Sequence, residues 1–328
     1  MQLGEQMNAI KEYFSFRKRE YITLIAVFII AAFFTIMDRS YLSWDNFLLV
    51  LQQATINGTI AIGMTFAIMV GGIDLSVGAT YGIVVVAIAQ MTAVMGVNSV
   101  FALIIGLLIG VCMGLINGFL VTKMNLQPFI ATLGTVSVFR GIAYVVTDGI
   151  PISGVPNSYR YIFTTKAFSG IYIYVLVFIA LAIIMGIVLG KTRMGAYMYA
   201  VGGNEEAAKL SGLNTHRIKI CAYVICAFCA AVAGSISLAN LGSGNPTAGS
   251  GYELNAIAAC AVGGSRMSGG KGSILGTFFG ALLLAALRVG MIILNVQEFY
   301  QYIVTGIVIV LAAYLEVFQV IFESKKTA

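Results

Sequence analysis

Apolar residues in this chain arrive in blocks of about 20, the length a helix needs to cross ~30 Å of hydrocarbon. Hydrophobic residues fill 59% of the 328 positions and charged residues only 10%. In water such a chain would expose large adhesive patches. In lipid, by contrast, the outer face of each helix must be apolar and each backbone amide must be satisfied within its own segment. The chain therefore reads as an all-α integral membrane protein, with function expected in the few polar residues and loops that interrupt the pattern.

The blocks run from Tyr21 to Met37, Leu48 to Val70, Leu75 to Met95, Ser99 to Val121, Leu126 to Val146, Ile171 to Gly190, Ile218 to Asn240, Leu254 to Val262, Ser273 to Leu294 and Phe299 to Ile321. These are about ten transmembrane helices in one domain over 21–321, preceded by a segment 1–20 and followed by a tail 322–328. With the N-terminus in the cytoplasm, Lys11, Arg17, Lys18, Arg19, Lys123, Lys191, Arg193, Lys209, Arg217, Lys219, Arg266, Lys271, Lys325 and Lys326 fall inside, against Arg39, Arg160 and Lys166 outside. That asymmetry follows the positive-inside rule and puts both termini in the cytoplasm. The net charge of +6 is thus accounted for by topology, and no nucleic-acid partner is expected.

Cys112, Cys221, Cys226, Cys229 and Cys260 all lie within apolar spans, where a thiol behaves as a small hydrophobe, so no disulfide is expected. Cys226 and Cys229 form a C-x-x-C, but without a neighbouring histidine a redox or metal role is the weaker reading. No cleavable signal peptide is evident, and the first block reads as a retained helix. Ahead of it, Leu3, Met7, Ile10 and Phe14 recur at helical spacing, with Glu5, Lys11 and Glu12 elsewhere on the turn. Two readings stay open: a short amphipathic helix on the inner membrane surface, or a frayed tail.

The eighth span is too short. From Tyr252 to Val262 a helix covers only ~16 Å, and glycine-rich stretches at 241–251 and 263–272 flank it. Non-helical backbone at membrane depth survives only inside protein or beside a water-filled cavity, so this region is expected at the centre of the molecule. Glu253 and Asn255 then face an aqueous path or a partner, or else cap the half-helix. A similar break, Val70-Gly-Gly-Ile-Asp-Leu-Ser-Val-Gly78, aligns with Val262-Gly-Gly-Ser-Arg-Met-Ser-Gly-Gly270 as V-G-G-x-x-x-S-x-G, a weak hint of an internal repeat. A phosphate loop is excluded in the second segment, because Gly272 follows Lys271 and Ser265 stands where the first glycine is needed.

Arg140 and Arg288 lie within spans, six residues from the expected outer ends, hence ~9 Å deep. They either snorkel, line a polar passage, or pair inside the protein with an acid such as Glu253, the last being favoured. Asn57, Asn117 and Thr132 add uncharged hydrogen-bonding groups, commonly used between helices. The candidate translocation path thus comprises Asp74, Ser76, Asn57, Asn117, Phe129, Thr132, Arg140, Glu253, Asn255 and Arg288. Catalytic and metal-ligating residues are not expected: His216, the single histidine, sits in a loop, and no metal-ligand cluster occurs.

The longest cytoplasmic loop, 191–219, reads as a folded element. Asn204 is an N-cap, Glu205 and Glu206 suit the positive end of a helix dipole, Ala207, Ala208, Lys209 and Leu210 propagate the helix, and Gly212 after Ser211 ends it. Such a helix suits a groove in a cytoplasmic partner; the plainer alternative is that it lies against the bundle.

The run Ala200-Val-Gly-Gly-Asn-Glu-Glu-Ala-Ala-Lys-Leu-Ser-Gly-Leu213 closely resembles the coupling loop of permease subunits from bacterial ABC importers of the ribose and monosaccharide group. Gly72-Ile-Asp-Leu-Ser-Val-Gly78, Pro128-Phe-Ile-Ala-Thr-Leu-Gly134, Arg140-Gly141, Gly251-Tyr-Glu-Leu-Asn-Ala-Ile-Ala-Ala259 and the glycine-rich run to Gly272 follow in family order from about Trp44 onward. Asn255 stands where the ribose group usually has Asp, which leaves the sugar open. The resemblance implies a type II ABC importer-like permease in a bacterial inner membrane, performing no covalent chemistry. It also implies a second permease subunit, as a homodimer or pair, and two cytoplasmic ATP-binding subunits that hold the ATP and magnesium. A periplasmic or lipid-anchored sugar-binding protein would deliver the cargo. A neutral monosaccharide, ribose-like, is the expected cargo, with a nucleoside or another pentose or hexose as an alternative. The rival class is an ion-coupled secondary transporter, which would need intramembrane carboxylates; only Asp74, Glu253 and Glu316 are available.

Overall fold

The computed structural model describes residues 2–308, 310, 311 and 314, with side chains from Glu20 onward. In chain order its elements are α1 (Gln2–Met37), α2 (Trp44–Met69), α3 (Val77–Ala89, prolonged by a π-turn over Gln90–Val94), α4 (Ser99–Thr122), α5 (Pro128–Thr147), β1 (Ile152–Ser153), α6 (Asn157–Thr164), α7 (Ile173–Lys191), α8 (Arg193–Gly203), α9 (Glu205–Leu210), α10 (Thr215–Leu241), β2 (Ser243–Gly244), α11 (Tyr252–Val262) and α12 (Ile274–Ile293). Among the described residues, eight helices are long and apolar enough to span a membrane. The short eighth block is α11, and the tenth opens as helix at residue 298, the remainder of it and the tail 322–328 lying outside the described residues. The first block does not begin a new helix at Tyr21: α1 runs unbroken from Gln2. Which way Leu3, Met7, Ile10 and Phe14 face lies outside the described side chains.

Three helices make the centre. α3 and α10 are buried over most of their apolar length and α2 over half of it, with Phe66, Tyr81 and Tyr223 among the largest sealed side chains. Lipid supplies no hydrophobic force to bring helices together, so close van der Waals approach must do it. On α4 that approach is encoded by Gly106, Gly110, Gly114 and Gly118, four glycines spaced by four on one stripe. A Cβ at Gly110 would sit 2.4 Å from the Ala231 Cβ, at Gly114 2.6 Å from the Val224 Cα, and at Gly118 2.9 Å from the Ile220 Cα. The α4 backbone therefore lies directly on α10. The outward faces of α1, α4 and α5 keep Phe28, Phe101, Leu108, Leu133 and Val145 exposed, as lipid-facing helices must.

At the end of the bundle opposite α8 and α9, small elements unannounced by the apolar blocks close the top. β1 pairs antiparallel with β2, Ile152 opposite Gly244. α6 is held to α10 by the Tyr159 hydroxyl donating to the Ser235 carbonyl at 3.0 Å and by Arg160 Nε donating to the Ala239 carbonyl at 3.2 Å.

The short block behaves as its length requires. Gly244 packs on Ala89 at one end of α3, and Gly249 packs on Gly78 and Tyr81 at the other. From Asn245 the chain dips beside α3 through consecutive turns, the amides of Ala248, Ser250 and Tyr252 bonding to the carbonyls of Asn245, Thr247 and Gly249, and it continues as the half-helix α11. The two V-G-G segments lie at the same end of the molecule, each ending a helix with a backbone bond spanning five residues, Gly72 to Ala67 and Ser265 to Cys260. The left-handed capping glycine is the first of the pair in one (Gly71) and the second in the other (Gly264), so the sequence alignment is one residue out of structural register.

The α4 stripe yields a stability prediction. Gly114→Leu should force α4 from α10 and lower the thermal midpoint of the purified protein by the ~1–3 kcal/mol typical of overpacking, or more. Gly134→Leu, whose Cβ meets nothing within 4 Å, should leave the midpoint unchanged. Equal midpoints for both variants would contradict the packing account.

Candidate functional site

The candidate path residues divide into three places. Asp74, Ser76, Asn117 and Thr132 form a buried network where α2 to α5 meet at the end of the bundle that holds α8 and α9. The Ser76 amide and hydroxyl donate to Asp74 Oδ1 at 2.9 and 2.7 Å, and Asn117 Nδ2 donates to the Ser76 hydroxyl at 2.7 Å and to both Asp74 oxygens at 3.3 Å. Thr132 donates to the Ile73 carbonyl at 3.2 Å. Thr135, missed in the sequence although it lies one turn beyond Thr132, donates to Asn117 Oδ1 at 2.8 Å. Asp74 and Asn117 are fully buried. A buried carboxylate is tolerated because these donors replace water, and the network locks the α2–α3 loop to α4 and α5. Phe129 stands apart, exposed on the first turn of α5.

The second place is the dip between β2 and α11. Arg140 on α5 donates through Nη1 to the carbonyls of Pro246 and Ala248 at 2.8 and 2.6 Å, and through Nη2 to that of Gly78 at 3.4 Å. Backbone outside a helix leaves carbonyls without helical partners, and the five-donor guanidinium is suited to collect them. The expected ion pair with Glu253 is absent: among the described residues no salt bridge joins them. Glu253 instead accepts from the Gly251 amide at 3.2 Å, reaching back over the start of α11 as the capping alternative required. Both side chains meet at Gly78, since a Cβ there would lie 2.3 Å from Glu253 Oε2 and 2.3 Å from the Gly249 carbonyl oxygen.

The third place is a cleft of about 670 Å³ between α2, α11, α12 and the helix opening at residue 298, and it gathers Asn57, Asn255 and Arg288. Gln53, Glu298, Gln301, Tyr302 and Thr305 also line it. Arg288 Nη2 lies 3.9 Å from Glu298 Oε1, so the second intramembrane arginine has an acidic partner, though a different one from that expected. Asn57 Oδ1 is buried without a hydrogen-bond partner. Gln53 and Asn57 stand four apart on one helix and Glu298, Gln301 and Thr305 follow at three and four, a polar stripe that the sequence carried.

At the end holding α8 and α9, the expected loop helix is α9, and α8 precedes it. Asn204 Oδ1 caps α9 by accepting from the Ala207 amide at 3.0 Å. Left-handed Gly212 ends it, with the Leu213 amide bonded to the Ala208 carbonyl at 3.1 Å. Glu205 is engaged within the chain: Lys219 of α10 donates to its carboxylate, and Lys209 lies 3.4 Å away. Partial burial disfavours its charge, but the Lys219 hydrogen bond and the two ammonium charges outweigh this and hold its carboxyl below the usual range. A depressed carboxyl stabilises above its unfolded pKa and fails only as pH falls through the folded one, so this tether persists through neutral and mildly acidic pH. Ala208 is buried, Glu206, Ala207, Lys209 and Ser211 are exposed, and Leu210 is 90% exposed.

Comparison with known proteins identifies the setting. Residues 46–313 match the family described as branched-chain amino acid transport system / permease component. A ribose import permease protein of Bacillus subtilis is 44% identical over 293 residues, covering 89% of this chain and 91% of that one. A ribose import permease protein of Escherichia coli K12 is 38% identical, covering 90% and 92%. A D-allose transport system permease protein of the same strain is 36% identical, covering 89% of each. No solved structure matches. On a match of that extent, the chain belongs to this family of ABC-importer permeases, membrane subunits that move cargo and carry out no covalent chemistry of their own.

Proposed function

We propose that this chain forms the transmembrane path of a bacterial monosaccharide importer, working as a pair of identical permeases with cytoplasmic ATP-binding subunits and a separate sugar-binding protein. The carrying observation is the cleft. Amides from Gln53, Asn57, Asn255 and Gln301, a hydroxyl from Thr305, the ring of Tyr302 and one offset Arg288–Glu298 pair line it. A polyol needs donors and acceptors in mixture without a net field, whereas a phosphorylated or carboxylated cargo calls for a cationic cluster. Ribose and allose, the sugars for which the relatives are named, are neutral and of that kind.

Two of the three candidate carboxylates speak against an ion-coupled mechanism: Asp74 is closed within its network and Glu253 accepts from the Gly251 amide, while Glu316 lies outside the described residues. Orientation is read from charge: the end bearing α8 and α9 carries Lys191, Arg193, Lys209, Arg217 and Lys219, and the positive-inside rule favours the cytoplasm for it and for both termini. There the exposed face of α9, with Glu206, Ala207, Leu210 and Ser211, would seat in the ATP-binding subunit. Asn204, Gly212 and the Glu205 tether hold that face in position, with Ala208 packed underneath.

Two outcomes follow. Glu206→Lys puts a cation at the positive end of the helix dipole, a penalty of only about 0.3–1 kcal/mol, too small to unfold a membrane bundle. The variant should accumulate normally yet co-purify with about tenfold less ATP-binding subunit and lose transport to match. Wild-type transport by an intact complex would contradict the docking assignment. In vesicles holding the complete importer, free ribose or allose should accumulate and ribose 5-phosphate should not; equal uptake of the phosphate would contradict the neutral-cargo reading.

A further inference from the structure

Beneath α8, three segments of backbone meet with no side chain between them. Gly202 of α8 lies against the last residue of α2: a Cβ there would fall 1.7 Å from the Met69 carbonyl oxygen and 2.6 Å from the Gly270 amide nitrogen. That amide itself donates to the Met69 carbonyl at 3.0 Å. A Cβ at Gly269 would lie 3.0 Å from the Cα and nitrogen of Gly71 and 3.1 Å from the Gly202 carbonyl oxygen, and one at Gly270 would lie 2.8 Å from the Gly203 nitrogen. Tyr199 of α8 ties the group from outside, its hydroxyl donating to the Gly272 carbonyl at 2.7 Å. Burial, with the charge of Glu20 adding, pushes that hydroxyl up to about 12, so it remains a donor at neutral pH.

We infer that this glycine junction is the contact through which movement of α8 and α9 is handed to the membrane domain, and that Gly202 is its positioning residue. The inference rests on the reading of α9 as the docking element. Side chains that interdigitate absorb small displacements by changing rotamer, but backbone in contact with backbone has no such freedom and must move together or separate. The junction also divides the movement. On one side, Gly71 opens the loop that carries Asp74 and its network, and hence α3, α4 and α5. On the other, Gly269 and Gly270 belong to the loop between α11 and α12, the two helices that carry Asn255 and Arg288 into the cleft. One displacement at α8 therefore reaches the half-helix and the cleft wall at once.

Neighbouring glycines supply the test, because a Cβ at Gly203 meets nothing within 4 Å while one at Gly202 cannot be accommodated without displacement. Gly202→Ala, Gly203→Ala and Tyr199→Phe would each be purified with the ATP-binding subunits and placed in vesicles with the binding protein. ATP hydrolysis and uptake of free ribose or allose, whichever the wild-type complex accumulates, would be measured together. For Gly202→Ala the expected result is a complete complex that hydrolyses ATP within about twofold of wild type while uptake falls at least tenfold. Gly203→Ala should match wild type in both, and Tyr199→Phe should hydrolyse several-fold more ATP per sugar moved. Wild-type uptake by Gly202→Ala overturns the inference. So does loss of the ATP-binding subunits from that variant, which would make Gly202 a shaper of the docking face and leave the docking reading itself standing. Should Gly202→Ala fail to accumulate, a wild-type ratio of hydrolysis to uptake in Tyr199→Phe overturns it.

Discussion

Hydrocarbon offers no hydrogen bonds, so any backbone that leaves the helix at membrane depth must be repaired by the protein itself. In this fold that repair falls on Arg140. Its guanidinium holds the carbonyls of Pro246 and Ala248 while touching that of Gly78, and so stitches the turns of the dip to α3 and α5. Everything around the cleft depends on the dip. It allows the chain to reach the middle of the bundle without a full helix, to start α11 there, and to present Asn255 to the cleft instead of to lipid. The intramembrane charge, costly in isolation, is bound to backbone dipoles and needs no salt bridge.

Glycine does two separate jobs. Along α4 a stripe of four lets one helix lie on another, a contact whose role is adhesion in a solvent that provides no hydrophobic drive. Beneath α8 the glycines of three segments meet end-on, where helices finish and loops begin, and there the same absence of side chains sets backbone on backbone between α8, the loop after α2 and the loop between α11 and α12. Close approach thus fixes the bundle in one place and passes on movement in the other.

The spans were legible because apolar length alone decides which segments enter lipid, and the short eighth block announced the half-helix through the same arithmetic. The cap and end of α9 were legible because Asn204 and Gly212 act on their own neighbours. Other features depend on contacts distant in sequence. Arg140 bonds carbonyls 106 and 108 residues away, and carbonyls leave no mark in a sequence, so an acid seemed its natural partner. α8 escaped notice because its run carries Gly195, Gly202 and Gly203 and becomes helical by burying Met198 and Val201. The tether at Glu205 was not legible either, because only the fold brings Lys219 of α10 to it.

The central claim is that the dip and α11 bring Asn255 to a water-filled path used by the cargo. It is tested most directly by Asn255→Cys in the assembled importer, with the lipid-facing Cys112 retained as a control. A membrane-impermeant thiol reagent should label the introduced thiol and leave Cys112 untouched, and saturating cargo should slow the labelling. An introduced thiol that reacts no faster than Cys112, or that reacts at a rate indifferent to cargo, would contradict the account.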